Sequence, residues 1–191
     1  MKAVFLDRDG VLNRDLAYVH TREAFEFLPG ALEACRAFCE AGFALIVVTN
    51  QSGIARGYFT EAEFEALTAW MTAEMAKAGA PVERVYFCPH HPEGTVPRYR
   101  LACGCRKPAP GMILQALKDF SLSPEKCVLF GDSARDVEAA AAAGLAERVL
   151  LGKDGAAVPA PRAPATAVFR NLLEAARSPW FAEFSKRTQE A

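Results

Sequence analysis

Strand and helix alternate along this chain, and the alternation predicts a three-layer α/β fold: a parallel sheet with right-handed crossovers and helices on both faces. Three observations carry that prediction. Short apolar runs recur at residues 4–6, 43–48 and 127–130, continuous rather than alternating, as strands covered on both faces read. Between them lie segments whose apolar residues repeat at helical period. Each run is followed at once by polar residues, Asp7-Arg8-Asp9-Gly10, Thr49-Asn50-Gln51-Ser52-Gly53 and Gly131-Asp132-Ser133, at the sheet edge where open α/β folds bind ligands.

In chain order, the opening run is a buried strand that delivers Asp7 and Asp9 to its carboxyl end. Residues 13–27, with Asp15, Tyr18 and His20, read as irregular and close on Pro29-Gly30. Residues 31–40 carry Leu32, Cys35, Phe38 and Cys39 at helical period and stop at Gly42. Residues 43–48 form the strongest buried strand. Thr60 followed by Glu63 is a capping box that opens a helix running to about Lys77. Residues 84–87 are a short strand, residues 88–108 a long loop rich in Pro, Gly and Cys, and Pro110-Gly111 introduce a helix over 112–120. A strand at 127–130, an Ala-rich helix at 134–143 and a last strand near 148–151 follow. The Pro, Ala and Gly content of 152–166 predicts a loop. A helical tail over about 169–190, interrupted at Pro179, docks Trp180, Phe181 and Phe184 on the body. There is no internal repeat.

The length of 191 residues, with 51 % hydrophobic and 24 % charged content, fits one soluble globular domain spanning 1–191. The net charge of -1 gives no electrostatic reason to expect nucleic acid or a membrane surface as partner. No stretch is apolar for long enough to span a bilayer, and the N-terminus enters a strand without a basic, apolar and cleavable leader. The expectation is a cytoplasmic monomer. Of the six cysteines, Cys35, Cys39 and Cys127 sit in apolar elements and read as buried free thiols. Cys88, Cys103 and Cys105 instead cluster with histidines.

Four polar stations recur at strand ends or before a helix: Asp7 with Asp9, Thr49 with Asn50, Arg106-Lys107-Pro108, and Gly131-Asp132 with Asp136. Two carboxylates one residue apart can converge on one cation and one phosphate where the loop turns past the strand. Alone, Asp-x-Asp is equally a solvated strand end built from turn formers. In this order and spacing the four stations resemble the haloacid dehalogenase superfamily of aspartate-dependent phosphatases, over about residues 2–152. The fold class is accordingly a Rossmann-like, haloacid dehalogenase-like parallel sheet. The longer runs Asp7-Arg8-Asp9-Gly10, Thr49-Asn50-Gln51-Ser52-Gly53-Ile54-Ala55-Arg56-Gly57, Cys88-Pro89-His90-His91-Pro92 and Cys103-Gly104-Cys105-Arg106-Lys107-Pro108 resemble its subgroup of heptose-bisphosphate and histidinol-phosphate phosphatases. Val11, where many members carry threonine, and Leu16-Ala17 between Asp15 and Tyr18 depart from that pattern.

The resemblance implies Asp7 as nucleophile, dividing hydrolysis into two displacements through an aspartyl-phosphate. Asp9 protonates the leaving sugar oxygen and then takes a proton from the attacking water. Mg2+ is held by Asp7, Asp132 and the backbone carbonyl of Asp9, while Asp136 orients Lys107 or a water on the metal. Thr49 donates to a phosphoryl oxygen and Lys107 sets a cation beside the developing charge. Asp15, Tyr18, Asn50, Gln51 and Ser52 are expected to contact substrate, and Arg106 to grip a second phosphate. Each has a plainer reading: Asp132 and Ser133 as a helix cap, Lys107 as an exposed loop charge, Thr49 as a strand end, Arg106 as a surface ion pair, Asp15 and Tyr18 as ordinary loop.

Cys88, His90, Cys103 and Cys105 supply three sulfurs and one imidazole, the donor set of a closed structural Zn2+ site. Spacing does not separate His90 from His91; the resemblance selects His90. Such a site staples the loop carrying Arg106 and Lys107, against free thiols in a long loop. Neither 10–48 nor 50–106 leaves room for a large cap domain. The substrate expected is a small phosphorylated sugar, heptose 1,7-bisphosphate, with histidinol phosphate as the alternative. A DNA 3'-phosphatase lacks the basic face it would need, and a non-catalytic zinc module has no use for Asp7, Asp9, Lys107 and Asp132 together.

Overall fold

The computed structural model describes residues 1–153 and 164–190. Its sheet has six parallel strands, β1 (Ala3–Leu6), β2 (Ala44–Asn50), β3 (Val82–Cys88), β4 (Cys127–Gly131), β5 (Glu147–Leu151) and β6 (Ala167–Phe169). The order is β3-β2-β1-β4-β5-β6. The chain therefore winds outward from β1 to β3, then crosses back to place β4 on the other side of β1. That reversal opens a crevice at the carboxyl ends of β1 and β4, the switch point where such sheets bind ligands.

Period-two alternation sends successive side chains of β1 to opposite faces. Val4 and Leu6 join Phe38, Leu45, Val47, Phe130 and Phe184 on one side; Ala3 and Phe5 join Ile46, Val48, Ile113 and Leu129 on the other. The first face is covered by α1 (Ala31–Glu40), α3 (Glu61–Lys77), α6 (Leu172–Ala176) and α7 (Pro179–Glu190), the second by α4 (Gly111–Asp119) and α5 (Ala134–Ala142). All of Ala3, Val4, Phe5 and Leu6 are fully buried, which is why β1 reads as an unbroken apolar run.

The capping box at Thr60 is formed: the Glu63 N–H donates to the Thr60 hydroxyl at 3.2 Å and the Thr60 N–H to the Glu63 carboxylate at 2.7 Å. The interruption at Pro179 is present, with proline in the first turn of α7, where its missing N–H costs nothing. Trp180, Phe181 and Phe184 pack on Phe38, Phe43 and Phe130. Two elements were not anticipated. A single turn, α2 (Ser52–Ala55), follows β2 directly, and β6 lies between the expected loop and the expected tail, overlapping the tail only at Phe169. Within the predicted loop 152–166, residues 154–163 lie outside the described residues. The loop 88–108 contains only a 3-10 turn, Pro97–Tyr99. It has a small core of its own, in which Tyr99 packs with Ile54, Phe59 and Phe64.

Candidate active site

A cleft of about 400 Å³ lies at the switch point and is lined by residues from all four polar stations. β1 delivers Asp7, whose N–H is tied to the Phe130 carbonyl of β4 at 3.0 Å. Gly10 lets the chain turn away: its φ is +85°, and a Cβ there would stand 2.2 Å from an Asp132 oxygen. Only glycine combines that left-handed backbone with so close an approach. Asp7, Asp132 and Asp136 thus present carboxylate oxygens within 4.8 Å of one another.

Lys107, from the loop before α4, is 2 % exposed and reaches into this group. Its ammonium lies 2.9 Å from Asp7 and 2.6 Å from Asp136, and donates to the Val48 carbonyl at 2.8 Å, so its three N–H groups are all used. Burial works to lower the lysine, but Asp136 and Asp7 outweigh it and hold it above its ordinary value. Burial pushes Asp7 up to about 8; Lys107 opposes this and the repulsion of Asp136 and Asp132 adds to it. Asp132 is raised to about 6, again by burial first and then by Asp136. Three crowded acids against one ammonium leave negative charge uncompensated, the condition a hard divalent cation relieves. Asp136 also accepts from the Ser133 hydroxyl at 2.6 Å and N–H at 3.0 Å, so it caps α5 while orienting Lys107. Asp132 forms no ion pair among the described residues.

Thr49, Asn50 and Gln51 end β2. The Thr49 hydroxyl accepts from the Gln51 amide at 2.8 Å, which leaves its own proton to donate into the cleft. Both ends of the Asn50 amide are bonded to the Lys107 main chain, at 3.0 and 3.1 Å, so Asn50 faces the cleft while holding the lysine. Gln51 also donates to Asp9 at 3.1 Å. Ser52 lines the cleft at the start of α2. Asp15 and Tyr18 stand at its rim, where Asp15 accepts from the Ala17 N–H at 3.1 Å and the Tyr18 ring meets Tyr58 edge-on at 4.7 Å. Ala17 and Tyr18 are both left-handed, with φ near 58° and 57°.

Beside the cleft the four predicted sulfur and nitrogen donors converge. Sulfur pairs stand 3.1 Å apart for Cys88–Cys105 and Cys103–Cys105, and 3.5 Å for Cys88–Cys103. The His90 Nδ1 lies 3.4 Å from Cys105 and 3.8 Å from Cys88. His91 points elsewhere: its Nδ1 accepts from the Glu93 N–H at 3.1 Å. The structure therefore separates two histidines that spacing could not. Burial works to raise the Cys103 thiol, but hydrogen bonds with Cys105 and Cys88 outweigh it and bring it down to about 7.

Sequence reasoning gave no role to Arg8, Arg56 or Arg135 and weighed His91 only as an alternative to His90, although Arg8, Arg56 and His91 lie within the signature runs. With Nδ1 accepting, the His91 ring proton belongs on Nε2, which faces an Arg56 N–H at 3.2 Å. The Arg56 Nε is moreover buried without a partner among the described residues. Burial pulls the Arg106 guanidinium below its ordinary value, and Arg135 and Arg56 nearby act in the same direction. Arg56, His91, Arg106 and Arg135 all line the cleft, an arrangement that favours an anion.

A switch-point cleft with two strand-end aspartates, a buried lysine and a third acid heading the next helix defines a haloacid dehalogenase-like hydrolase. Residues 104–175 match the HAD-hydrolase-like family. A D-glycero-β-D-manno-heptose-1,7-bisphosphate 7-phosphatase of Yersinia pestis is 48 % identical over 149 residues, covering 78 % of this chain and 79 % of the relative. Its counterpart in Escherichia coli K12 is also 48 % identical, covering 78 % of each chain. The crystal structure of D,D-heptose 1,7-bisphosphate phosphatase from B. bronchiseptica, complexed with magnesium and phosphate, superposes with a TM-score of 0.78 at 31 % identity over the whole of both chains. The chain belongs to the family of heptose-1,7-bisphosphate 7-phosphatases within the haloacid dehalogenase-like hydrolases.

Proposed function

We infer that the chain hydrolyses the 7-phosphate of D-glycero-β-D-manno-heptose 1,7-bisphosphate and leaves heptose 1-phosphate. The observation that carries this reading is the meeting of Asp7, Lys107 and Asp132 in one cleft, beside a basic group formed by Arg56, His91, Arg106 and Arg135. One side of the cleft is equipped to cleave a phosphate and the other to hold a second one, which a bisphosphate supplies and histidinol phosphate does not. The curated relatives support both the heptose and its β form.

The Asp7 carboxylate attacks phosphorus and the bond to the sugar oxygen breaks. Asp9 gives its proton to that oxygen, then takes one from the water that hydrolyses the aspartyl-phosphate and so restores Asp7. Lys107 fixes the attacking carboxylate from 2.9 Å, and Thr49 donates to a phosphoryl oxygen. Asp7, Asp132 and the Asp9 carbonyl would hold magnesium, with Asp136 engaged by Lys107; magnesium when bound acts as a Lewis acid that offsets the charge of carboxylate and phosphate. Cys88, His90, Cys103 and Cys105 would hold zinc, which ties the segment bearing Arg106 and Lys107 to the end of β3.

The test is magnesium-dependent phosphate release from the α and β anomers of the heptose bisphosphate and from histidinol phosphate. A kcat/KM on the β anomer at least about 10²-fold above histidinol phosphate is expected, given the charge-assisted contacts to a second phosphate. Preference for histidinol phosphate would overturn the substrate.

A further inference from the structure

Arg8 is 1 % exposed and heads the fully buried side chains by volume. A strand-end arginine flanked by two acids would ordinarily face water, and burying a guanidinium is expensive unless its environment uses it. Here one nitrogen, NH1, is buried without an acceptor among the described residues. The rest of the group is aimed at Asp9 rather than at Asp7. Nε lies 3.2 Å from Asp9 Oδ2, and NH2 lies 3.0 Å from both carboxylate oxygens. NH2 also donates to the Val19 carbonyl at 2.7 Å, in the rim segment that carries Asp15 and Tyr18, and the guanidinium lies over the Phe64 ring at 5.7 Å.

Two neutral donors complete the hold on Asp9: Asn13 on Oδ1 at 3.0 Å and Gln51 on Oδ2 at 3.1 Å. Three side chains from three points of the chain thus fix one carboxylate, and the charged one is Arg8. Asp7 is held by a different set, Lys107 and the Arg8 N–H. The two acids of the Asp-x-Asp pair therefore have separate supports, and the buried guanidinium serves only the second.

Resting on the phosphatase reading above, we propose that Arg8 is a positioning residue for leaving-group protonation: it fixes the direction of the Asp9 carboxylate and ties it to the rim segment through Val19. Attack by Asp7 does not draw on it. Esters that need a proton on the departing oxygen then depend on Arg8, and esters with a strongly acidic leaving group do not.

The experiment compares kcat and KM of wild type, Arg8→Gln, Arg8→Lys, Asp9→Asn and the Arg8→Gln/Asp9→Asn double variant on the heptose bisphosphate and on 2,4-dinitrophenyl phosphate. Arg8→Gln is expected to lower kcat on the sugar about 10²-fold, within the range of general acid–base catalysis, with KM little changed and the aryl ester nearly spared. In the Asp9→Asn background the same substitution should cost nothing further on the sugar, because a group acting through Asp9 has nothing left to position. Equal loss on both esters, or added loss in the double variant, would make Arg8 a structural residue and overturn the proposal. Full activity of Arg8→Gln on the sugar would do the same. Should Arg8→Gln fail to fold, Arg8→Lys keeps the charge without the fork and is read by the same two criteria, alone and in the Asp9→Asn background. An unimpaired Asp9→Asn would instead sink the role given to Asp9, a different result from an impaired Asp9→Asn beside an unimpaired Arg8→Gln.

Discussion

The two donor clusters of this chain sit at the two ends of one short segment, residues 103–107, yet they are built on opposite plans. Asp7, Asp132 and Asp136 are hard oxygens that line an open cleft, and two of them, Asp7 and Asp136, are already paired with Lys107. Cys88, Cys103 and Cys105 are soft thiols that face one another and the His90 imidazole, and the three share an apolar cluster with Tyr86, Ile113 and Leu117. The first group keeps room for substrate and exchange; the second offers four donors from protein alone, the number a closed zinc site would need. The difference teaches that two donor clusters can divide the labour along five residues on the proposed reading, one placed to do chemistry and the other to hold the lysine of that chemistry in place.

Three outcomes test that division. The largest concerns the cleft: Asp7→Asn should lower phosphate release by about 10⁴-fold or more while zinc content and thermal stability stay near wild type, as read by a phosphate assay, metal analysis and a melt. A variant that loses zinc as well would show the two sites to be one unit. Next, removing zinc with a strong chelator under reducing conditions should lower Tm by on the order of 10 °C, since a few kcal/mol moves a chain of this size by that much. Dialysis against magnesium-free buffer should abolish turnover with little change in Tm. The smallest effect is on pH. Asp7 stands at about 8 in the folded chain against 3.8 ordinarily, so the metal-free folded state holds a proton that the unfolded chain releases. Its contribution to stability is full below about pH 4 and drains away as the pH climbs to about 8. In calorimetry the Tm of metal-free wild type should fall relative to Asp7→Asn across that range, and added magnesium should flatten the difference. Parallel curves would refute it.

The sequence made the central strands legible because β1, β2 and β4 are buried on both faces and cannot carry a polar residue until they end. Helix α3 was legible from its cap. β6 was not: three residues, Ala167–Phe169, become a strand only because β5 offers them an edge, and nothing local demands it. The candidate site divides in the same manner. Carboxylates, cysteines and Lys107 follow from residue type and spacing, whereas the approach of Arg56 to His91 and the inward turn of Arg8 arise from packing between segments far apart in the chain. Asn50 shows the intermediate case: its place at a strand end was readable, its grip on the Lys107 main chain was not.

The lysine nitrogen has one more consequence. Its three acceptors come from the end of β1, from β2 and from α5, so the 99 residues between Asp7 and Lys107, together with the α5 segment beyond, must all be in place before that charge is satisfied. A chain that docks two of the three leaves a buried cation short of a partner, at a cost of about 3–5 kcal/mol. The proposed reaction centre therefore doubles as a checkpoint on assembly: the geometry assigned to phosphate cleavage is also the geometry that tells a correctly threaded sheet from a misthreaded one.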